Sequence, residues 1–490
     1  MTESERLRFI EPDGSNREEI RRLGYRFIDL IVEAASGAAA RPAVPDAASD
    51  TAAAGRPYSP SEKGRDPEEL LRVLREEIVD RALNPAHPGY VGHMDSLASA
   101  IGIFSDALVS ACNNNMLSYE MSLVFTRMEG AILEWATARF GWGETARGFL
   151  VSGGTLANIQ ALWVARNARL SGEPAERGIS GIGQPPVVIA SEQAHYSFAK
   201  AANLLGLGRG GLLLAPTGDD GRVDPQALEQ VILAAQQAGR KPFCLVGVAG
   251  TTITGTIEPL EEFAAIARRH GLWFHVDAAY GGSLVLSNRL RDRLRGCELA
   301  DSITWNPQKW LYVPKTCASV LFHDGRVLDG TVRERFIYGR ENGNSRRPNL
   351  GEYTIQGTRR VDVLKLWLTL EHFGTEYLQR LIEERIELAG WLADRIRETA
   401  RLELITRPDL NIVCFRVRPR GVDPADGEAL DAAQAAVQAD VARRGHSWLS
   451  LPVYRGRRVL RAVILHPRCD KKRLRQTLDD VQAALRQITP

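Results

Sequence analysis

The chain has 490 residues, which at roughly 100 to 200 residues per domain makes room for two or three domains and a sizeable core. It is 44% hydrophobic, 25% charged and 7% aromatic, close to the soluble globular average, so collagen-like, disordered and disulfide-scaffold classes are excluded. Lys and Arg total 62 against 60 for Asp and Glu, a net charge of +2 that gives no general electrostatic reason to bind nucleic acid or an anionic membrane.

The first thirty residues are strongly charged and lack an uninterrupted apolar stretch, which argues against a secretory signal. No run approaches the roughly 18 apolar residues of a membrane span. The six cysteines, Cys112, Cys244, Cys297, Cys317, Cys414 and Cys469, show no CxxC spacing, which fits a reducing compartment and a soluble, cytoplasmic protein. Residues 17 to 35 carry apolar positions at helical spacing, and residues 36 to 66, rich in Ala, Pro, Gly and Ser, read as a linker or irregular arm.

From about residue 120, helical patterns (Met121 to Phe140, Leu156 to Leu170) alternate with short apolar runs: GFLVS, PPVVIAS, LLLAP, FCLVGVAG, WFHVDAA, DSITW and CASVLF. PQALEQVILAAQQAG and LEEFAAIARRHG supply further helices between them. Strands separated by helices need crossover connections, hence an α/β fold with a mostly parallel sheet, helices on both faces and ligands at the carboxyl ends of the strands. After Arg360 two long helices, Val361 to Gly374 and Glu376 to Thr399, lead into the strands LELIT, NIVCFRV and VLRAVIL, a smaller α+β domain. The expected division is an N-terminal arm and linker (1–85), a large domain (86–360) and a C-terminal small domain (361–490). The basic cluster Arg455, Arg457 and Arg458 reads as solvated surface.

Gly206, Gly208 and Gly211 in GLGRGG satisfy GxGxxG, but a helix precedes and a strand follows, the reverse of the dinucleotide arrangement. No HExxH or paired Cys/His spacing offers a metal site. SGGT, Ser152 to Thr155, ends one apolar run and opens a helix, where close backbone approach and the helix N-terminus suit a phosphate; an ordinary strand-to-helix turn is the alternative. Asp277, at the end of WFHVDAA, needs a partner to offset its desolvation, either a protonated ring nitrogen of a bound cofactor or a structural cap or arginine. Lys309, an amine among aromatic and apolar residues in WNPQKWLYVP, is placed for Schiff-base chemistry, although a lysine can simply snorkel to water. His195 follows another strand. Each of these is ambiguous alone; the phosphate turn, histidine, carboxylate and lysine in chain order, each at a strand's carboxyl end, together describe a pyridoxal phosphate site.

The chain resembles the group II pyridoxal-phosphate-dependent amino-acid decarboxylases, a family that includes aromatic-L-amino-acid, glutamate and cysteine-sulfinate decarboxylases. The resemblance runs from HPGYVGHM through NNNMLSYEMS, VSGGTLAN, SEQAHYSFAKAA, AGTTITGTIEPL, FHVDAAYGG, DSITWNPQKWL and QGTRRVDVLKLW to VLRAVILHP, roughly residues 70 to 485. It implies the aspartate-aminotransferase-like fold type I, and a homodimer with active sites at the subunit interface. It makes Lys309 the Schiff-base lysine, Asp277 the partner of the pyridine nitrogen, and His195 and Ala279 the residues on the two ring faces. Gly154, Thr155 and Asn306 match phosphate contacts, and Thr251 contributes to the cofactor pocket. Gln308 stands where the family usually has histidine and can still hydrogen-bond a phosphate, without charge. Ser122-Leu123 replaces a frequent Ser-Pro, a change attributed to packing.

The family's mobile-loop tyrosine, which protonates Cα from the neighbouring subunit, corresponds to the stretch 331–352, with Tyr338 the candidate and Tyr353 assigned to the following structured segment. His93 and Asp95 occupy a segment that lines the substrate pocket in relatives and differ from the Gln and Ser of a glutamate decarboxylase; Arg461 falls where that enzyme holds its substrate carboxylate, although an arginine also occurs there in aromatic-specific relatives. The expected activity is decarboxylation of an aromatic or other bulky L-amino acid to an amine and carbon dioxide. Oxidative decarboxylation-deamination to an aldehyde, transamination and a non-catalytic interaction role are the alternatives.

Overall fold

The computed structural model describes residues 7–45, 62–335 and 348–488. They form two units, each drawn from separated stretches of chain: one holds residues up to Leu97 with Val417–Ala462 and His466 onward, the other Ala98–Arg416 with Val463–Leu465.

The first unit opens with α1 (Arg17–Ser36), at the place the helical spacing predicts, and α2 (Pro67–Val73). Asp66 caps α2 by accepting the Glu68 N–H, with Pro67 at the first helical position. In the second unit, α3 (Ala100–Cys112) is capped by Ser99 and ends on a left-handed Asn113. It is followed by α4 (Tyr119–Arg139), which is broken at Leu123 (φ 17°, ψ −92°). Packing does not explain the Ser122-Leu123 dipeptide, because Leu123 is 56% exposed while Ser122 is buried and bonded to Ser118 and Thr126.

The sheet then builds in chain order: β1 (Arg147–Val151), α5 (Gly154–Arg169), β2 (Pro186–Ser191), α6 (Ser197–Leu204), β3 (Leu212–Ala215), α7 (Pro225–Gln237), β4 (Lys241–Val248), α8 (Leu260–Arg269), β5 (Trp273–Ala278), β6 (Ser302–Trp305), α9 (Pro307–Trp310) and β7 (Ala318–Phe322). Strand order is β1-β7-β6-β5-β4-β2-β3. Only β7 runs against the rest, pairing antiparallel with β1 and β6, so the sheet is mixed but mostly parallel, an α/β arrangement as expected.

Every residue of β2, β5 and β6 is buried, which is why these strands read as continuous apolar runs rather than alternating ones. Alternation nevertheless assigns their faces. His275 and Asp277 of β5 bond Asn158 of α5, whereas Phe274 lies with Gly247 on the side where an added Cβ would meet Leu260 of α8 at 2.7 Å. Helices therefore cover both faces. On the α5 side the fit is close because Ala157, Ala161 and Ala165 have no exposed surface. GLGRGG falls after α6 and leads into β3, with Gly206 and Gly208 at positive φ, so its glycines serve a helix-to-strand turn.

The long α10 (Asp362–Glu398) is two helices joined at Gly374 (φ 69°, ψ 155°), the break that the sequence places there. β8 (Leu402–Leu404) and β9 (Ile412–Val417) follow, joined by the Ile405 N–H to the Cys414 carbonyl. The chain closes through α11 (Gly427–Arg444), a hairpin of β10 (Val453–Tyr454) and β11 (Arg457–Arg458), β12 (Leu460–Val463) and α12 (Lys471–Ile488). Arg455 and Gly456 form the hairpin turn, both at positive φ, and Arg455 and Arg458 are exposed. Among the described residues no helix is long and apolar enough to cross a membrane.

Candidate active site

The carboxyl ends of β1, β2, β4, β5 and β6 lie along one edge of the sheet, and the loops leaving them carry the predicted site residues. β1 delivers the turn Ser152 to Thr155. Gly153 adopts φ 119°, which favours glycine, and α5 starts at Gly154 with no side-chain cap. The Gly154 and Thr155 N–H groups at its start thus lack intrahelical acceptors, the first backbone bonds being Leu156 and Ala157 to the Gly153 carbonyl, and the helix end carries partial positive charge. A Cβ on Gly154 would sit 2.8 Å from Asn306 Nδ2 and 3.5 Å from the Ala279 Cβ, so Gly154, Ala279 and Asn306 converge on one small volume. Asn306, 3% exposed, keeps a buried Oδ1 with no hydrogen-bond partner.

Asp277, 6% exposed at the end of β5, accepts the Asn158 Nδ2–H through Oδ2 at 2.9 Å and the Ala279 N–H through Oδ1 at 3.1 Å. His195, between β2 and α6, places Nδ1 2.8 Å from the Ser197 hydroxyl and also receives the Ser197 N–H at 3.3 Å. A lone pair that receives an N–H cannot hold a proton, so the neutral ring carries its proton on Nε2. Burial depresses the His195 pKa, with Asp277 opposing and the cations Lys309 and Lys200 adding to the effect. Lys309, half-buried on α9, lies with Nζ 5.4 Å from the centre of the Tyr280 ring. Tyr280 is fixed in turn by its hydroxyl donating to Asn411 Oδ1 at 2.7 Å.

Gln308 accepts the Cys317 N–H through Oε1 at 2.6 Å. That turns the amide nitrogen into its remaining donor end, the chemistry a phosphate needs. The Thr251 hydroxyl belongs to a buried trio, 2.8 Å from Thr254 Oγ1 and accepting the Thr256 N–H at 3.0 Å. Its turn packs on Tyr280 and Gly281, because a Cβ on neighbouring Gly250 would lie 3.5 Å from the Tyr280 Cβ.

Lys309, Asp277, His195, Gly154, Thr155, Thr251, Ala279, Asn306 and Gln308 all belong to the second unit. His93, Asp95 and Arg461 belong to the first. There Arg461, 5% exposed, donates from Nε to Ser450 Oγ at 2.9 Å and from Nη2 to the Gly92 carbonyl at 3.0 Å, with His93 Nδ1 at 3.2 Å. A guanidinium only donates, so His93 is neutral at Nδ1. His93 meets Trp448 edge-on at 4.7 Å, and Trp448 stacks on Tyr90 at 5.4 Å. Tyr338 lies outside the described residues. Tyr353 is part of the ordered fold, 7% exposed, stacked on Phe149 and donating to Asp329.

Sequence reasoning missed the supporting layer: Asn158, Ser197, His275 and Thr304. Asn158 stands in the quoted VSGGTLAN, and a carboxamide on the sheet-facing side of an otherwise apolar helix was the available signal.

These residues fit pyridoxal phosphate. An uncapped helix N-terminus and a turn too tight for a side chain suit its phosphate; a buried carboxylate held by two donors suits its ring nitrogen; Lys309 suits its aldehyde.

Comparison with known proteins agrees. Residues 53–418 match the pyridoxal-dependent decarboxylase conserved domain. The chain is 28% identical over 474 residues to the aromatic-L-amino-acid decarboxylase of Bacillus atrophaeus, covering 96% of each. It is 35% identical over 397 residues to the aspartate 1-decarboxylase of Aliivibrio fischeri, covering 76% of this chain and 71% of that one. The structure of Oryza sativa TDC with PLP and tryptamine superposes with a TM-score of 0.89 at 25% identity, covering 98% of this chain and all of the other.

Proposed function

The chain belongs to the pyridoxal-dependent decarboxylase family, and from that membership we propose that it removes the carboxylate of an aromatic or otherwise bulky L-amino acid, releasing carbon dioxide and the amine. It is a pyridoxal-phosphate-dependent carboxy-lyase of fold type I. The observation that carries the site assignment is the buried Asp277 carboxylate, hydrogen-bonded by Asn158 and Ala279 at the strand edge that also presents His195 and Lys309.

Bound pyridoxal phosphate supplies the electron sink for the pair left behind as the carboxylate departs. Lys309 would hold the cofactor through Nζ, and Asp277 would keep a proton on its ring nitrogen, which makes the sink effective. Gly154, Thr155, Asn306 and Gln308 hold the phosphate, with Thr251 supporting the pocket, while His195 and Ala279 flank the ring and keep water from its faces. His195 carries its own proton at Nε2.

His93, Asp95 and Arg461 are assigned to substrate selection. The aromatic preference is supported by the surroundings of His93, where Tyr90 and Trp448 form an aromatic cluster, and by Arg461, whose Nε and Nη2 are engaged by internal acceptors. The relative aligned over 96% of both chains is named for aromatic substrates. The working unit is a homodimer, with Tyr338 as the residue that returns a proton to Cα. The test is a panel of L-amino acids with carbon dioxide, amine, aldehyde and hydrogen peroxide all quantified. The proposal expects amine equal to carbon dioxide, with the highest kcat/KM on an aromatic substrate. A preference for aspartate, cysteine sulfinate or 2,4-diaminobutyrate overturns the substrate assignment, and aldehyde with peroxide in place of amine overturns the product.

A further inference from the structure

Asn158 sits in the first turns of α5, 1% exposed, with both ends of its side chain fully engaged. Nδ2 donates to Asp277 Oδ2 and to Ser197 Oγ, each at 2.9 Å. Oδ1 accepts the Thr304 hydroxyl at 2.6 Å and faces His275 Nε2 at 3.2 Å.

The direction of every proton in this chain can be worked out. Trp273 Nε1–H can only donate, and its acceptor is Ser302 Oγ at 2.8 Å. Ser302 Oγ also lies 2.8 Å from His275 Nδ1. His275 is neutral, its pKa pushed down to about 4 by burial, and its Nε2 faces an amide oxygen, which only accepts, so its own proton is on Nε2 and points at Asn158 Oδ1. With Oδ1 met by two donors, Nδ2 faces the two acceptors; the flipped amide would instead set an oxygen against the Asp277 carboxylate at 2.9 Å. Ser197 Oγ accepts from Asn158, and because His195 Nδ1 receives the Ser197 N–H and so carries no proton, the Ser197 hydroxyl proton goes to His195 Nδ1 at 2.8 Å.

We infer that Asn158 is a positioning residue whose single carboxamide sets both the orientation of the Asp277 carboxylate and, through Ser197, the proton position on His195. The ring-nitrogen carboxylate and the ring-face histidine are thus tied to one rigid group on the helix that also forms the phosphate turn, and they move together or not at all. The inference rests on the pyridoxal phosphate reading for its effect on turnover, but the state of His195 is a property of the chain itself.

The test uses the full chain with 15N-labelled histidine, without and with added pyridoxal phosphate. The His195 signals are assigned by their loss in His195→Gln. The groups facing His195 are Ser197, Tyr196, Asp277, Lys309 and Lys200; all are retained in the variants except Ser197 where it is itself changed, and Asp277 loses its Asn158 bond only in the Asn158 variants. In the cofactor-free parent, Nδ1 should be unprotonated and Nε2 protonated at neutral pH. Asn158→Ala and Ser197→Ala both remove hydrogen-bond support for the bare Nδ1, so each should raise the His195 titration midpoint by about one pH unit and admit the other tautomer.

Only Asn158→Ala also releases Asp277, so it alone should weaken pyridoxal phosphate binding, by about tenfold or more, while Ser197→Ala keeps the parent affinity. Asn158→Asp retains the shape but replaces the donor with an acceptor; it should show both changes and so covers the case in which the alanine variant does not fold. An unaltered His195 signal in Asn158→Ala or Asn158→Asp, even with a lower melting temperature, would reduce Asn158 to a packing residue and overturn the inference. Failure of the parent to bind pyridoxal phosphate would instead sink the functional reading and leave the histidine test standing.

Discussion

Gly154→Ala isolates the phosphate turn. The new Cβ would lie 2.8 Å from Asn306 Nδ2 and 3.3 Å from its Oδ1, while ordinary contact begins near 3.4 Å, so Asn306 must retreat by about 0.6 Å. Asn306 is buried and is the residue before α9, which carries Lys309, so the displacement reaches the amine as well as the cradle. Stability should change little: crowding costs about 1–3 kcal/mol, and the gain from alanine in a helical backbone, about 0.5–1 kcal/mol, offsets part of it. Cofactor affinity should fall by about tenfold to a hundredfold, since the added methyl occupies the approach to the helix N–H groups. Urea unfolding of the cofactor-free chain and a fluorescence titration with pyridoxal phosphate separate the two effects. An intact variant that binds the cofactor within about twofold of the parent would refute the placement of the phosphate at this turn.

Asp277→Asn keeps an acceptor but loses the charge, and should still load at saturating pyridoxal phosphate, with affinity lowered as in Asn158→Ala, while steady-state turnover falls by about a hundredfold or more; parental turnover would make the carboxylate structural. Glu129 and Arg359 form a buried pair at 3.1 Å in which both side chains are nearly inaccessible, and burial raises the Glu129 pKa against the opposing charge of Arg359. Glu129→Ala, which strands the guanidinium, should cost about 3–5 kcal/mol in denaturant unfolding, and a cost below about 1 kcal/mol would contradict the pairing.

Glu258, fully buried, has its pKa pushed up to about 7, chiefly by burial. A raised carboxylate contributes stability below its ordinary value of 4.5 that is lost as pH rises through about 7. The stability of Glu258→Gln relative to the parent should therefore climb between pH 4.5 and 7, by on the order of 3 kcal/mol, and a flat difference would show that the folded protein does not hold Glu258 protonated. Light scattering should give twice the chain mass, and an active monomer would contradict the homodimer.

Much of this architecture is legible because burial on both faces leaves apolar runs that stand out against polar helices, as in PVVIAS and WFHVDA. Gly374 announces its helix break because no other residue type adopts φ 69° so readily. Lys309, Asp277, His195 and the SGGT turn can be proposed together from sequence because a cofactor with three chemically different parts would demand three kinds of residue at strand ends. Strand order is not legible, since an apolar run does not state its neighbours, and the reversal of β7 leaves no mark in CASVLF. Asn158 escapes because its role lies in partners 39, 117, 119 and 146 positions away, which spacing along one helix cannot reveal. The break at Leu123 is equally silent: leucine is ordinarily a good helix former, and nothing in the structure explains why the chain turns there.

The central claim is that Lys309 is the attachment point of pyridoxal phosphate, at the strand edge shared with Asp277 and His195. Borohydride reduction of the cofactor-loaded chain, followed by peptide mass mapping, tests it most directly. The account predicts a single pyridoxyl label on the peptide containing Lys309, absent from Lys309→Ala. A label on another lysine, or none after reconstitution, would contradict it.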